Sequence, residues 1–376
     1  MALNFPSSPA IGQKFDSGTV RYIWDGTTWN ATQLGTALPF NYIVNGSMQV
    51  SQQNGDVVSS VNAYYPADQW VVSLSGISTN LQRQGFRLPL TGSQYKLYMP
   101  VNAPSVKPTL GATDYYLIGT GLEGNRVTSL EWGTAKAKQV VLRFYLQSTV
   151  AGTFGGGFRN AAANRSYVFQ YTISTINQFV EYSVVIPGDV TGVWPKDNTP
   201  HAINFYFCFG CGYTALISTP GVWAAGSLLA PTGITNGFAT GNTFQLADVG
   251  LYMDPDLTGR APPHLLVDEG QAHMDALRHW HKSQGGCGIG VATTAVGRLG
   301  TQHTVQMRAG GALSIVGPPT IYDQGVNTNL LGVTTSYANP FNDEIDGSTA
   351  AATNLGRAAI QDQAVGGTLY IANNAR

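Results

Sequence analysis

Four segments of the chain alternate strictly between apolar or aromatic residues and everything else: Val140–Gln147, Tyr167–Ile173, Val180–Ile186 and Ile203–Phe209. One parity carries Val140, Leu142, Phe144 and Leu146, then Tyr167, Phe169, Tyr171 and Ile173. It continues with Val180, Tyr182, Val184 and Ile186, and with Ile203, Phe205, Phe207 and Phe209. A repeat of two marks strands with one buried face, because successive side chains leave a strand on opposite sides. No long helical pattern separates the four segments. A second antiparallel sheet is then the simplest cover for that face, and the middle of the chain is expected to be a β-sandwich. The opposite parity includes Arg143, Tyr145, Val168, Gln170, Phe179, Val185, Asn204 and Tyr206. Mixed and sparsely charged, it reads as a surface for contact with neighbouring subunits or neutral sugars.

Further strands are expected at Gln69–Ser75, Leu81–Arg87, Tyr95–Val101, Tyr115–Gly119 and Phe244–Met253. In the last, apolar parity shifts across Ala247-Asp248, which a β-bulge explains. About nine strands with long Gly-rich connections fit an antiparallel jelly roll better than an immunoglobulin-type sandwich. Three parts follow: a small N-terminal β-hairpin module at 1–37, the jelly-roll β-sandwich at 38–262, and a helix plus a smaller C-terminal β domain at 263–376. In the first part Asp25-Gly26-Thr27-Thr28 reads as a hairpin turn with Trp24 and Trp29 facing each other across it. So short a unit gains stability by packing on something larger, as an attachment element does. In the third part, acidic Asp268 and Glu269 open a helix that basic Arg278, His279, His281 and Lys282 close near Ser283, in keeping with the helix dipole. Gln302–Arg308, Ala312–Val316, Leu330–Ser336 and Thr368–Ala372 are expected strands beyond it.

Composition excludes several functions. Charged residues make up 11% of the chain and the net charge is −1, so the basic surface that collects phosphates is missing and no nucleic-acid partner is expected. No apolar run is long enough to span a bilayer, and residues 1–9 carry no secretory pattern. Cys208, Cys211 and Cys287 are an odd set, and the C-x-x-C pair has no second pair to complete a zinc site; it reads as buried small hydrophobes. No metal or other cofactor is expected. His279 and His281 are two apart rather than four, and Asn342–Gly347 resembles a calcium loop whose closing acid is replaced by Thr353. No catalytic residues are assigned: Gly155-Gly156-Gly157 and Gly285-Gly286 lack the Lys-Ser/Thr of a phosphate loop, and no nucleophile elbow precedes a helix.

Three local matches carry a resemblance. Asn4-Phe5-Pro6-Ser7-Ser8-Pro9 with Tyr22-Ile23-Trp24-Asp25-Gly26-Thr27-Thr28-Trp29 resembles the amino-terminal module of phage fibre proteins. Asn41–Gln52 followed by Ala67-Asp68-Gln69-Trp70 is similar to the beginning of their jelly-roll module. Leu130–Lys138, Gly152-Thr153-Phe154, Arg165-Ser166-Tyr167 and Ile186-Pro187-Gly188-Asp189 match along the sandwich strands. The chain thus resembles bacteriophage virion appendage proteins of the tail-fibre or surface-fibre type up to about residue 283. Within the final helix, Ala276-Leu277-Arg278-His279-Trp280-His281 departs from the aromatic-rich sequence such chains carry, and the resemblance is thin beyond about residue 283.

The resemblance implies a carbohydrate-binding-like jelly roll, a homotrimer, host synthesis in the bacterial cytoplasm and a place on the virion surface. The expected function is a trimeric tail fibre or spike, attached to other virion proteins through residues 1–37 and candidate to bind host surface polysaccharide. Alternatives are a capsid decoration or head fibre, and a tailspike hydrolase. Phe5, Tyr22, Trp24 and Trp29 are the candidate attachment residues. Sugars need flat apolar platforms beside planar hydrogen-bonding groups. The loop residues Trp194, Asp197, Asn198, Tyr213 and Trp223 are the glycan-binding candidates, although either Trp would equally fill a core end or a subunit contact.

Overall fold

A computed structural model of the protein describes residues 5–17, 20–33, 40–212, 214, 217–284, 287–293, 296–302, 306–307, 312–316, 320–323, 326–338, 342–349 and 370–374. They fall into two compact units, Met1–Phe40 and Asn41–Arg376.

In the first unit β1 (Lys14–Ser17), β2 (Val20–Trp24) and β3 (Trp29–Gln33) form an antiparallel sheet in that order. The turn between β2 and β3 is organised by Asp25, whose carboxylate accepts from the backbone N–H groups of Thr28 and Thr27 and from the Asn30 amide, each at 2.7 Å. Those backbone donors hold its carboxyl well below the usual range. Trp24 and Trp29 are cross-strand partners with ring centroids 5.6 Å apart, as the turn reading required. Phe5 stacks on Trp29 at 5.0 Å and meets Tyr22 edge-on at 5.0 Å.

The second unit contains β4 (Val71–Ser75), β5 (Gln82–Gly85), β6 (Tyr95–Val101), β7 (Tyr115–Leu122), the single-turn α1 (Gly124–Val127), β8 (Val140–Ser148), β9 (Gly152–Asn160), β10 (Arg165–Ile173), β11 (Val180–Ile186) and β12 (Ile203–Cys211). After β13 (Ile217–Ser218), β14 (Trp223–Ala225) and β15 (Ala230–Pro231) comes the long β16 (Asn242–Met253). Two antiparallel sheets result, a six-stranded one ordered β14-β10-β9-β12-β7-β4 and a five-stranded one ordered β11-β8-β16-β6-β5. The jelly-roll-like sandwich is therefore present, and the four alternating segments are β8, β10, β11 and β12. Their predicted apolar parity faces inward. Phe207 meets Phe144 of the opposite sheet at 4.8 Å, Phe209 meets Phe244 at 4.5 Å, and all four rings are essentially inaccessible. Burying each such ring stabilises the fold by about 1.5–3 kcal/mol.

The bulge in β16 lies where parity predicted it. Register against β8 shifts between Ala247 and Gly250, and Asp248 takes a left-handed φ of 47°. Among the long strands of the sandwich, β9 is not predicted by alternation. Gly155-Gly156-Gly157 lies in the middle of β9, paired with both β10 and β12.

The helix expected to run to Ser283 is α2 (Glu269–Leu277) and ends a turn and a half earlier. Its start is as expected: the Asp268 side chain accepts from the Gly270 and Gln271 N–H groups. Its predicted end is corrected because Arg278 turns to the carboxylate of Glu123 at 2.7 Å, and Trp280 opens β17 (Trp280–Gln284). Beyond lie β18 (Cys287–Thr293), β19 (Val296–Gln302), β20 (Ala312–Val316), β21 (Thr320–Asp323), β22 (Val326–Ala338), β23 (Asn342–Thr349) and β24 (Tyr370–Asn374). β20 coincides with a predicted strand, and β22 encloses another. The calcium-like segment Asn342–Gly347 is not a loop but lies in β23, hydrogen-bonded between β19 and β22. Thr353 and most of the expected strand Gln302–Arg308 fall outside the described residues.

Candidate functional site

Two of the segments singled out in the sequence hold structural knots. In the first, Asn45 donates from Nδ2 to the carbonyls of Val50 and Asp68 at 2.8 and 2.9 Å, while Trp70 Nε1 donates to the Asn45 carbonyl at 3.0 Å. In the second, the Asp189 carboxylate receives Arg165 Nη2 at 2.7 Å, Trp194 Nε1 at 3.0 Å and the Gly192 N–H at 2.9 Å. Burial pushes that carboxyl up, but Arg165 and the Trp194 donor outweigh it and hold it below its ordinary range.

Trp194 is therefore not a platform. It is 6% exposed, with its N–H spent on Asp189. Trp132, Trp194 and Trp223 pack edge to face around one another, with centroids 5.0, 5.2 and 5.4 Å apart. Trp223 is partly exposed, but Tyr167 packs on it at 5.2 Å and its N–H donates to the Pro187 carbonyl at 2.8 Å. Asp197 and Asn198 are exposed and locally engaged: Asp197 accepts from the Thr199 N–H at 2.9 Å, and Asn198 accepts from Asn125 at 2.5 Å. Tyr213 lies outside the described residues. The N-terminal candidates Phe5, Tyr22, Trp24 and Trp29 do come together, as the shared ring cluster of their own unit.

The expectation that the opposite parity faces outward holds only in part: Gln170 and Val185 are exposed, and Phe179 and Asn204 partly so. Val141, Arg143, Tyr145, Val168 and Tyr206 are all less than 9% exposed, because distant segments of the same chain cover them. On the six-stranded sheet the cover is the segment around Leu229 and Ala230, packed on Leu117, Tyr206 and Cys208. On the five-stranded sheet there are two covers. Arg143 donates to the Pro262 carbonyl at 2.6 Å, and His264 Nε2 lies 3.2 Å from Asp248 and 3.1 Å from Ser47. The β5–β6 loop lays Leu88 on Tyr145 and Ala247, and its Thr91 hydroxyl bonds Asp248. Ser47, His264 and Asp248 do not form a proton relay. Both partners share one ring nitrogen, whereas a relay needs opposite nitrogens.

Besides the exposed outer residues of the edge strand β11, a strip across β5, β6, β16 and β8 is left uncovered. Cross-strand register puts Gln82 beside Tyr98, Tyr98 beside Gln245, and Gln245 beside Gln147. Their inward neighbours Leu97, Met99 and Leu246 are buried, so these four side chains point outward by strand alternation. Gln82, Tyr98 and Gln147 are partly exposed. Phe86 and Phe179, from opposite edges of the sheet, meet over it at 5.0 Å and form a wall at the end of the strip. Lys96 stands between wall and floor, its ammonium 4.9 Å from the Phe86 ring and 5.7 Å from Tyr98, donating to Gln245 Oε1 at 2.5 Å. Burial lowers the pKa of this ammonium. A depression lined by Phe86, Arg87 and Tyr95 shares the wall, and another lined by Thr79, Pro100 and Lys107 continues past Tyr98.

Rings beside planar amides, on a rigid sheet, offer C–H contact and paired hydrogen bonds to one ligand. The sequence reading named Phe179 as an outward residue but missed Tyr98, Gln147 and Gln245 as a set. The outward alternation of β6 and β16 would have grouped them once the pairing of these strands was known. Among the described residues no cluster of His, Cys, Asp or Glu is arranged to hold a metal.

No protein-family model matches the chain, and no curated protein sequence does. Several solved structures are similar in part. A tailspike protein 4 domain of bacteriophage CBA120 matches 57% of this chain at 14% identity and a TM-score of 0.31, the match spanning 21% of that chain. A putative sugar binding protein from Bacteroides thetaiotaomicron matches 57% at 11% identity and a TM-score of 0.32, over 100% of its own length. The module TmCBM61, solved with beta-1,4-galactotriose, matches 57% at 8% identity and a TM-score of 0.28, over 99% of its length. At these identities and scores the likenesses say nothing about ligand or activity.

Proposed function

We propose that this protein is a non-enzymatic, carbohydrate-binding appendage of a bacteriophage virion, a homotrimeric tail fibre or spike whose sandwich takes host surface glycan on the strip around Tyr98. The observation that carries the reading is the contrast between that strip and the rest of the sandwich. Along the middle strands β8, β12 and β16 most of the outer parity is covered by the chain itself, while Tyr98, Gln147 and Gln82 stay accessible beside the Phe86–Phe179 wall. Exposed rings and amides on a rigid sheet cost hydrophobic burial unless they serve a contact. The phage assignment rests on the sequence resemblance, with residues 1–37 as the attachment module and the virion surface as the location. Three copies would add weak single sites into firm attachment.

The test is binding of the full chain to an array of bacterial surface polysaccharides. The reading expects binding that falls at least tenfold in Tyr98→Ala with the melting temperature retained. Binding unchanged in that variant contradicts the site, and a stable monomer by mass measurement in solution contradicts the trimer.

A further inference from the structure

Lys96 has a setting that a neutral sugar leaves unexplained. It lies on the outer face of β6 between two aromatic rings, and its only hydrogen bond among those described goes to a neutral amide oxygen, Gln245 Oε1. Among the described residues it makes no ion pair. The carboxylates on and beside this sheet are engaged elsewhere: Glu181 accepts from Arg143 at 2.6 Å and Tyr145 at 2.5 Å, Asp248 accepts from the Thr91 hydroxyl and lies 3.2 Å from His264 Nε2, and Asp56, off the sheet, accepts from Arg83 at 2.7 Å. The other basic group at the wall is the exposed Arg87. An ammonium has three donors, and the two that no described protein group takes up are available to an anion, which would replace water there with a charge-assisted bond.

We infer that the strip selects acidic glycans, with Lys96 as the specificity-determining residue that binds the carboxylate of a uronic-acid unit stacked on Tyr98 and held by Gln147 and Gln245. This deepens the carbohydrate reading and rests on it. The ring platform lends a sugar face its apolar contact, and the unpaired charge beside it decides which sugars gain a second, charge-assisted bond. Electrostatic selection of this kind weakens with salt, since the site is open to solvent on one side.

The experiment uses the full chain against polygalacturonate, alginate and hyaluronan, each paired with its carboxyl-reduced form, which keeps the rings and removes the charge. Wild type is expected to bind at least one acid polymer tenfold or more tightly than its reduced partner. Lys96→Gln should erase that preference, and Lys96→Arg should keep most of it, with both variants melting as wild type does. A reduced polymer bound as tightly as the acid, or a preference surviving in Lys96→Gln, overturns the role of Lys96 and leaves the carbohydrate reading standing. Binding to none of these polymers overturns the acidic-glycan inference, and binding to nothing on the array of bacterial surface polysaccharides either overturns the carbohydrate reading itself.

Discussion

The two sheets of the sandwich share one inward pattern and differ on their outward faces. On the six-stranded sheet the segment carrying Leu229, Ala230 and Pro231 lies flat against β9 and β12. Glycine makes this possible. A Cβ on Gly155 would sit 2.5 Å from the Pro231 ring, and one on Gly157 would sit 2.8 Å from the Tyr206 hydroxyl. The five-stranded sheet carries full-sized polar side chains instead, and its covers stop at Arg143, Tyr145 and Ala247. One face is packed for stability and the other keeps a strip for contact. Outward polarity alone did not distinguish them; the covering segments did.

The largest effect should come from the packed side. Trp194→Ala removes a ring from the Trp132–Trp194–Trp223 cluster and takes one hydrogen-bond donor from the Asp189 carboxylate, and should cost about 3–5 kcal/mol by urea unfolding. Gly155→Val drives a side chain into Pro231 and the Phe169 carbonyl, and should cost about 3 kcal/mol. A loss well under this would show that the cover can lift freely and that the two faces are less different than described.

Acid should loosen the knots next. Asp189 and Asp248 are both held below their ordinary carboxylate range; in each, burial opposes the shift and hydrogen bonds, to Arg165 and Trp194 or to His264 and Thr91, win. A depressed carboxyl contributes stability that is complete above its unfolded pKa, about 3.9, and is lost as pH falls from there through the folded value. The melting temperature is expected to be flat from neutral pH to about pH 5 and to fall steeply below about pH 4. In Asp189→Asn the protein should start less stable and fall less. The smallest effect belongs to the open strip: Gln147→Ala should change stability by no more than about 0.5 kcal/mol while weakening glycan binding severalfold.

Much of the fold was legible because alternation is local. Phe144, Phe207 and Phe244 declare an inward face through their own neighbours, and Ala247-Asp248 declares the bulge by shifting parity. β9 was invisible because three consecutive glycines carry no hydrophobic signal, and their role appears only when Pro231 and Tyr206 are laid over them. The end of α2 was missed because a local charge pattern lost to distant partners: Glu123 draws Arg278 away, and β24 pairs with the backbone from Trp280 onward. The site was missed for the same reason. Whether Tyr145 or Tyr98 stays in solvent is decided by Leu88, Pro262 and His264, and neither strand's alternation encodes them. Trp194 and Trp223 read as loop aromatics from sequence alone, yet Asp189 and Trp132 bind them into the scaffold.

The most direct test is hydroxyl-radical footprinting of the full chain, read by mass spectrometry, with and without a bound surface polysaccharide. Protection of Tyr98, Phe86 and Phe179 with unchanged labelling of Trp223 is the predicted result. Protection of Trp223 with Tyr98 unchanged would contradict the account and move the contact to the tryptophan loops.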